Sequence, residues 1–179
     1  MKKLQAFNMD QIKIVNESVA IAEELVSNHY KMSASQWLHR RYDVKTLVDL
    51  DPIEIVHSPY AQIIRYKGQR KNTSLESSTY DFYKICLQDH SILATLEQLS
   101  EIKLFPFTLY IIIHELIHIV RFSKFLQSFD ASPEEKLTEE ARVHEKTHEI
   151  LKTIRFSGLT DVLKFYNKWR MSFDGLQNS

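Results

Sequence analysis

Three residues of this chain have the types and spacing to hold and use a metal ion. They are His114, Glu115 and His118, set in the run Tyr110-Ile111-Ile112-Ile113-His114-Glu115-Leu116-Ile117-His118-Ile119-Val120. Positions four apart on a helix lie one above the other, so both imidazoles project from one face and reach the same ion. Glu115 stands beside that ion, where a carboxylate takes a proton from a water whose pKa zinc has lowered to about 7. The plain alternative is two core histidines that fall in register by chance. It leaves unexplained the cost of burying two imidazoles and a carboxylate among seven apolar neighbours with nothing to pair them.

A second polar patch follows in Glu139-Glu140-Ala141-Arg142-Val143-His144-Glu145-Lys146-Thr147-His148. At about 100° per residue, Leu137, Ala141, Val143, Ile150, Leu151 and Ile154 occupy one broad arc of a helix. Glu140, His144 and His148 fall inside it, Glu139 at its margin and Glu145 outside. The short connection near Asp130 makes the two helices antiparallel neighbours. Folding about Ala131 sets His118 opposite His144 and His114 opposite His148, so at least one of Glu140 and His144 is expected to reach the ion. If both ligate, tetrahedral zinc is closed, which is the mark of a structural site.

The His114-Glu115-Leu116-Ile117-His118 helix, with aliphatic residues on both sides, resembles the active-site helix of the zincin metallopeptidases. The likeness covers this helix and extends to the one after it. The metzincin branch continues with a glycine and a third histidine, which fall here at Arg121 and Lys124 and exclude that branch; a minimal gluzincin-like arrangement fits. The resemblance implies a metallopeptidase, a hydrolase with one Zn2+ per chain, cleaving a peptide or protein substrate with water activated by the metal. It implies Glu115 as general base and Glu140 as third ligand, twenty-two residues after His118. His144 then stands where that family often has an acid orienting a histidine, and supports or replaces Glu140. It also implies a small sheet beside the motif helix, whose edge strand holds the substrate extended. Oxyanion stabilisation needs a donor near the scissile carbonyl, and His148, Tyr110 and Tyr83 are available.

Non-peptidase readings stand beside this one. A closed structural zinc site is one, and a degenerate zincin-like binding module is another. A third is a dinuclear iron or manganese site, because Glu115-Leu116-Ile117-His118 and Glu145-Lys146-Thr147-His148 are both Glu-x-x-His.

Composition sets the frame. The 179 residues suit one domain, residues 1–179, with 44% hydrophobic and 26% charged residues. Lys+Arg and Asp+Glu are both 23, so no net charge argues for nucleic acid or an anionic membrane. Cys86 is the single cysteine, which excludes an internal disulfide framework and fits a reducing compartment such as the cytoplasm. The N-terminal residues lack the apolar stretch of a signal peptide. The apolar run over 104–120 is nearly long enough to span a bilayer, but with its His and Glu residues it is expected as a central buried helix.

Positioning those residues calls for an α+β fold: a mostly helical single domain with a small antiparallel sheet beside the motif helix. Apolar spacing predicts a helix over 10–28 capped by Asp10, and a second over 33–50, capped at Ser33 or Ser35, through Trp37, Leu38, Tyr42 and Leu47. Glu17, Glu23 and Glu24 read as its neighbour's solvated face. β-branched and aromatic runs over 61–66 and 80–87 predict strands, with 80–87 as either the substrate edge or a core strand. Ser91 is expected to cap a helix to 100, and the motif helix to run from near Pro106 to 128. Ser132, Pro133 and Glu135 spell a capping box that opens a helix to about 154, and a last helix is expected over 160–171.

Overall fold

A computed structural model of the chain describes residues 2–33, 42–69, 79–124 and 126–177. Among them are five α-helices and one three-stranded sheet, in the order α1 (Met9–Tyr30), β1 (Tyr42–Lys45), β2 (Ala61–Gln69), β3 (Thr79–Leu87), α2 (Asp89–Gln98), α3 (Leu104–Ser123), α4 (Pro133–Leu151) and α5 (Leu159–Gln177). The fold class is α+β, as the sequence predicts. The chain is organised around α3, which is apolar on all sides and therefore has to be enclosed. Every residue from Pro106 to Arg121 except Glu115 is buried. α1 packs along it through Val15, Ala22 and Val26, and α4, α5 and β2 cover its other sides. By length and composition α3 is long enough to cross a membrane, yet 83% of its apolar stretch is buried inside the protein.

The sheet differs from expectation in two ways. It is mixed, with order β1-β3-β2: β2 pairs antiparallel with β3, and β1 pairs parallel with β3 on its other side. β3 is therefore the central strand and not an edge, with Ile85, Cys86 and Leu87 fully buried. The outer edges belong to β1 and β2. β1 lies inside the segment predicted as a second helix, and Tyr42-Asp43-Val44-Lys45 is extended because β3 offers it a ladder that local propensity does not encode. Ser35, Trp37 and Leu38 lie outside the described residues.

The helix ends show which signals are local. Ser132 accepts from the Glu135 amide, Glu135 returns the bond to the Ser132 amide, and Pro133 occupies the first turn, as the capping box requires. α1 is instead capped by Asn8 with Gln11, two residues before Asp10, which falls in the first turn. α2 begins at Asp89, ahead of Ser91, and Asp89 spends its carboxylate on the amides of Phe7 and Leu47, tying the N-terminus and the segment after β1 to this corner. α3 ends at Ser123 and α4 at Leu151, both short of prediction, while α5 is longer.

Candidate metal centre

The connection between α3 and α4, described at residue 124 and from 126 to 132, sets which side chains meet. Folding occurs about Phe129 and not Ala131: His118 and Glu140 lie eleven residues either side of it, His114 and His144 fifteen, and Tyr110 and His148 nineteen. Each of these pairs is in contact. Glu140 Oε1 is 2.9 Å from His118 Nε2, and Glu140 Oε2 is 3.2 Å from His114 Nε2. The His114 and His144 rings are 4.4 Å apart, and the Tyr110 hydroxyl is 3.2 Å from His148 Nδ1. The expected pairings of His118 with His144 and of His114 with His148 are thus displaced by about one helical turn.

His114, His118 and Glu140 form a group that could hold a metal ion, with one ligand atom each and all within 4.8 Å of one another. Among the described residues this is the single such group of three or more. The ligand separations of 2.9 and 3.2 Å are close to the roughly 3.3 Å between neighbouring ligands of a tetrahedral ion with bonds of about 2.0–2.1 Å. His144 is not one of the three; its Nε2 stands 4.0 Å from Glu140 Oε2. Both histidine Nε2 atoms are buried, and neither makes a regular hydrogen bond; the one charged group facing each is a Glu140 oxygen, at 3.2 and 2.9 Å. Buried nitrogens without partners are costly, and an ion accepted by both would remove that cost.

The opposite ring nitrogens are spoken for. His114 Nδ1 donates to Glu115 Oε1 at 3.2 Å, and His118 Nδ1 to Gln127 Oε1 at 3.1 Å. With a proton on Nδ1, each ring in its neutral form keeps its Nε2 lone pair for a ligand bond. In the protein alone, burial opposes charge on His114, but the Glu140 and Glu115 carboxylates outweigh it and push its pKa up to about 10. Burial likewise opposes charge on Glu140, and the two histidines overcome it and hold the carboxyl well below its usual range. In the metal-free protein that raised pKa keeps a second proton on His114, facing Glu140, and an ion bound at His114 Nε2 would take that proton's place.

His144 is the reverse case. Burial and the neighbouring His114 push it down to about 2, so it is a neutral imidazole. Its Nδ1 is 2.7 Å from the Tyr110 hydroxyl, and Tyr110 in turn stacks on Tyr166 of α5 at 3.9 Å between ring centroids. His148 is held between the His144 and Leu163 carbonyls, at 2.9 and 3.2 Å. Glu145 turns outward to Arg170 at 2.7 Å, which removes the second Glu-x-x-His from the site.

The group opens on a cleft of about 610 Å³. Its walls are residues 58–63 at the start of β2, α3 from Tyr110 to Phe122, the loop around Gln127, and Tyr166 and Trp169 of α5. Glu115, the exception in the buried run of α3, lines this cleft, as does His144. Of the three residues considered as oxyanion donors, Tyr110 lines the cleft, whereas His148 does not, and Tyr83 stacks on Phe122 beneath the sheet.

Three features escaped the sequence reading. Glu139, expected at the margin of the buried arc, is 8% exposed and bonded to Arg121 by two contacts of 2.7 and 3.0 Å, with Arg142 on the same carboxylate. Leu137, expected inside the arc, is 58% exposed. The third is Gln127, a loop residue for which no periodicity speaks. A charged Arg121 at the end of an apolar run was the available signal for the first, since such a charge needs a partner.

Comparison with protein-family models, curated proteins and solved structures returned no match. Fold and site by themselves define an α+β domain with a two-histidine, one-carboxylate group able to hold a metal ion beside a cleft.

Proposed function

We propose that the protein is a single-zinc metallopeptidase with a minimal gluzincin-like site. The observation that carries this reading is the His114, His118 and Glu140 group, with Nε2 atoms that make no regular hydrogen bond, opening beside Glu115 on a cleft one wall of which is the start of an edge strand. Two imidazoles and one carboxylate are a hydrolytic zinc donor set. When bound there, zinc supplies Lewis acidity and lowers the pKa of water.

The chain's own residues do the rest. His114, His118 and Glu140 fix the ion and leave its remaining position to the cleft. Glu115 takes the proton from the attacking water and returns it to the departing amine, the exchange a general base performs in acyl transfer. The outer edge of β2 accepts the substrate backbone as a further strand, with Tyr166 and Trp169 offering apolar surface to its side chains. Neutral His144, or Tyr110 beside it, is the donor available to the scissile carbonyl oxygen.

Elemental analysis of the purified protein beside Glu115→Gln, followed by a peptide-library digestion, tests this. We expect one zinc per chain in both proteins and hydrolysis reduced about 10²- to 10⁴-fold in the variant. Equal rates would remove Glu115 from the mechanism. A wild-type protein that carries zinc and cleaves nothing would favour a binding or structural site.

A further inference from the structure

The loop joining α3 to α4 is pinned at two points. At its start, the Leu126 amide donates to the Arg121 carbonyl at 2.9 Å, and the Leu126 carbonyl accepts from Arg121 Nη2 at 3.4 Å. Further on, Phe129 packs edge-on against Phe122 with centroids 5.3 Å apart. The Arg65 guanidinium of β2 covers that ring at 4.7 Å and reaches Asp130 at 3.2 Å. Gln127 lies between the two anchors, with its amide oxygen 3.1 Å from His118 Nδ1.

An amide oxygen only accepts, so this contact requires the proton on His118 Nδ1 and leaves the lone pair on Nε2. That Nε2 is the buried nitrogen that faces Glu140 Oε1 at 2.9 Å. We propose that Gln127 is a positioning residue for the metal centre: from the α3–α4 loop it fixes the tautomer and ring orientation of His118, and so sets the affinity of the site for a divalent ion. The inference rests on the reading of His118 as a metal ligand. The loop anchors are what give a side chain outside any helix or strand the rigidity to orient a ligand, which is the usual requirement for residues behind a metal's own ligands.

The test uses the full chain as wild type, Gln127→Leu and Gln127→Glu. In the metal-free wild type, ¹⁵N imidazole shifts are expected to report His118 with its proton on Nδ1; a proton on Nε2 overturns the proposal. Zinc titration against a chromophoric chelator should then show Gln127→Leu binding about 10- to 100-fold more weakly, and Gln127→Glu, a stronger acceptor, at least as tightly as wild type. Thermal melts of the metal-free proteins separate positioning from folding, since a folded Gln127→Leu that binds zinc as wild type does overturns the inference. If Gln127→Leu fails to fold, the Glu variant decides: binding weaker than wild type overturns it. A wild type that takes up no zinc at all fails the metal reading itself, whereas zinc held equally well by wild type and Gln127→Leu fails the role of Gln127 alone.

Discussion

Glu139 and Glu140 are adjacent on α4, and α3 meets them in opposite ways. Glu139 is buried with its two oxygens on the Arg121 guanidinium, a fork matched to a carboxylate, and its hydrogen bonding is complete. Glu140 is 48% exposed in its side chain and faces two imidazole nitrogens that make no hydrogen bond. One step of about 100° around the helix therefore separates a pair that closes the core from a group that opens on the cleft. What sets the Glu140 side apart is that its two unbonded nitrogens converge with a carboxylate on one point, which the lone unbonded atoms of Ser27, Tyr30 and His90 do not.

Breaking the open side should have the largest effect on metal and the smallest on the fold. If the proposed metallopeptidase reading holds, His118→Ala is expected to reduce bound zinc from one per chain to none, read by elemental analysis, with hydrolysis lost alongside it. A protein equally charged with metal before and after would remove His118 from the site. Breaking the closed side should do the reverse. Arg121→Met leaves Glu139 buried without the fork and is expected to cost about 3–5 kcal/mol in denaturant unfolding, while the folded fraction still takes up a metal ion, weakened only as far as the lost Arg121 Nη2 contact to the Leu126 carbonyl loosens the loop. Converting both partners, Arg121→Met with Glu139→Leu, should recover most of that loss, since a well-packed apolar pair replaces an ion pair at little cost.

A third carboxylate places the distinction outside these two helices. Glu54 is fully buried behind β3 and receives the Lys84 ammonium at 3.0 Å and the Cys86 thiol at 3.3 Å, while the Gln88 amide holds its backbone carbonyl at 3.0 Å. It belongs with Glu139. Burial works against its charge, but Lys84 and Cys86 outweigh burial and hold the carboxyl below its ordinary 4.5. A depressed pKa means that the folded state binds fewer protons than the unfolded chain. The stabilisation is thus fully present above pH 4.5 and is lost as the pH falls through the folded value. Unfolding midpoints at neutral pH and below pH 4.5 should fall less steeply for Glu54→Gln than for wild type, and an unchanged acid slope would detach Glu54 from acid unfolding.

What the sequence made legible follows from range. The His114 and His118 spacing and the Ser132 to Glu135 capping box are contained within one turn of helix, so residue types alone disclose them. β1 is a four-residue strand whose only reason to extend is β3, some forty residues later, and its alternation is too short to outweigh helical spacing around it. The bend at Phe129 depends on where α3 stops, which the loop's packing under Arg65 decides. Glu139 and Glu140 could not be ranked from a helical wheel either. Their burial is settled by partners on another helix, Arg121 for one and the two histidines for the other.

The smallest predicted effect sharpens the assignment of Glu140 over His144. Tyr110→Phe removes the hydroxyl that His144 Nδ1 meets at 2.7 Å and leaves the stack on Tyr166 in place. Loss of this contact, and of the hydroxyl's longer one to His148 Nδ1 at 3.2 Å, should cost about 1–3 kcal/mol of stability, measurable as a shift in unfolding midpoint. Its bearing on metal is the informative part. If Glu140 completes the site, His144 is a bystander whose orientation does not reach the ion, and zinc affinity in Tyr110→Phe matches wild type. If His144 ligates, Tyr110 is the partner that orients a metal-bound imidazole, and affinity should fall by the roughly 10- to 100-fold that such partners are worth. The open and closed halves of this helix pair would then overlap, because a group satisfied by protein at one nitrogen would be serving the ion with the other.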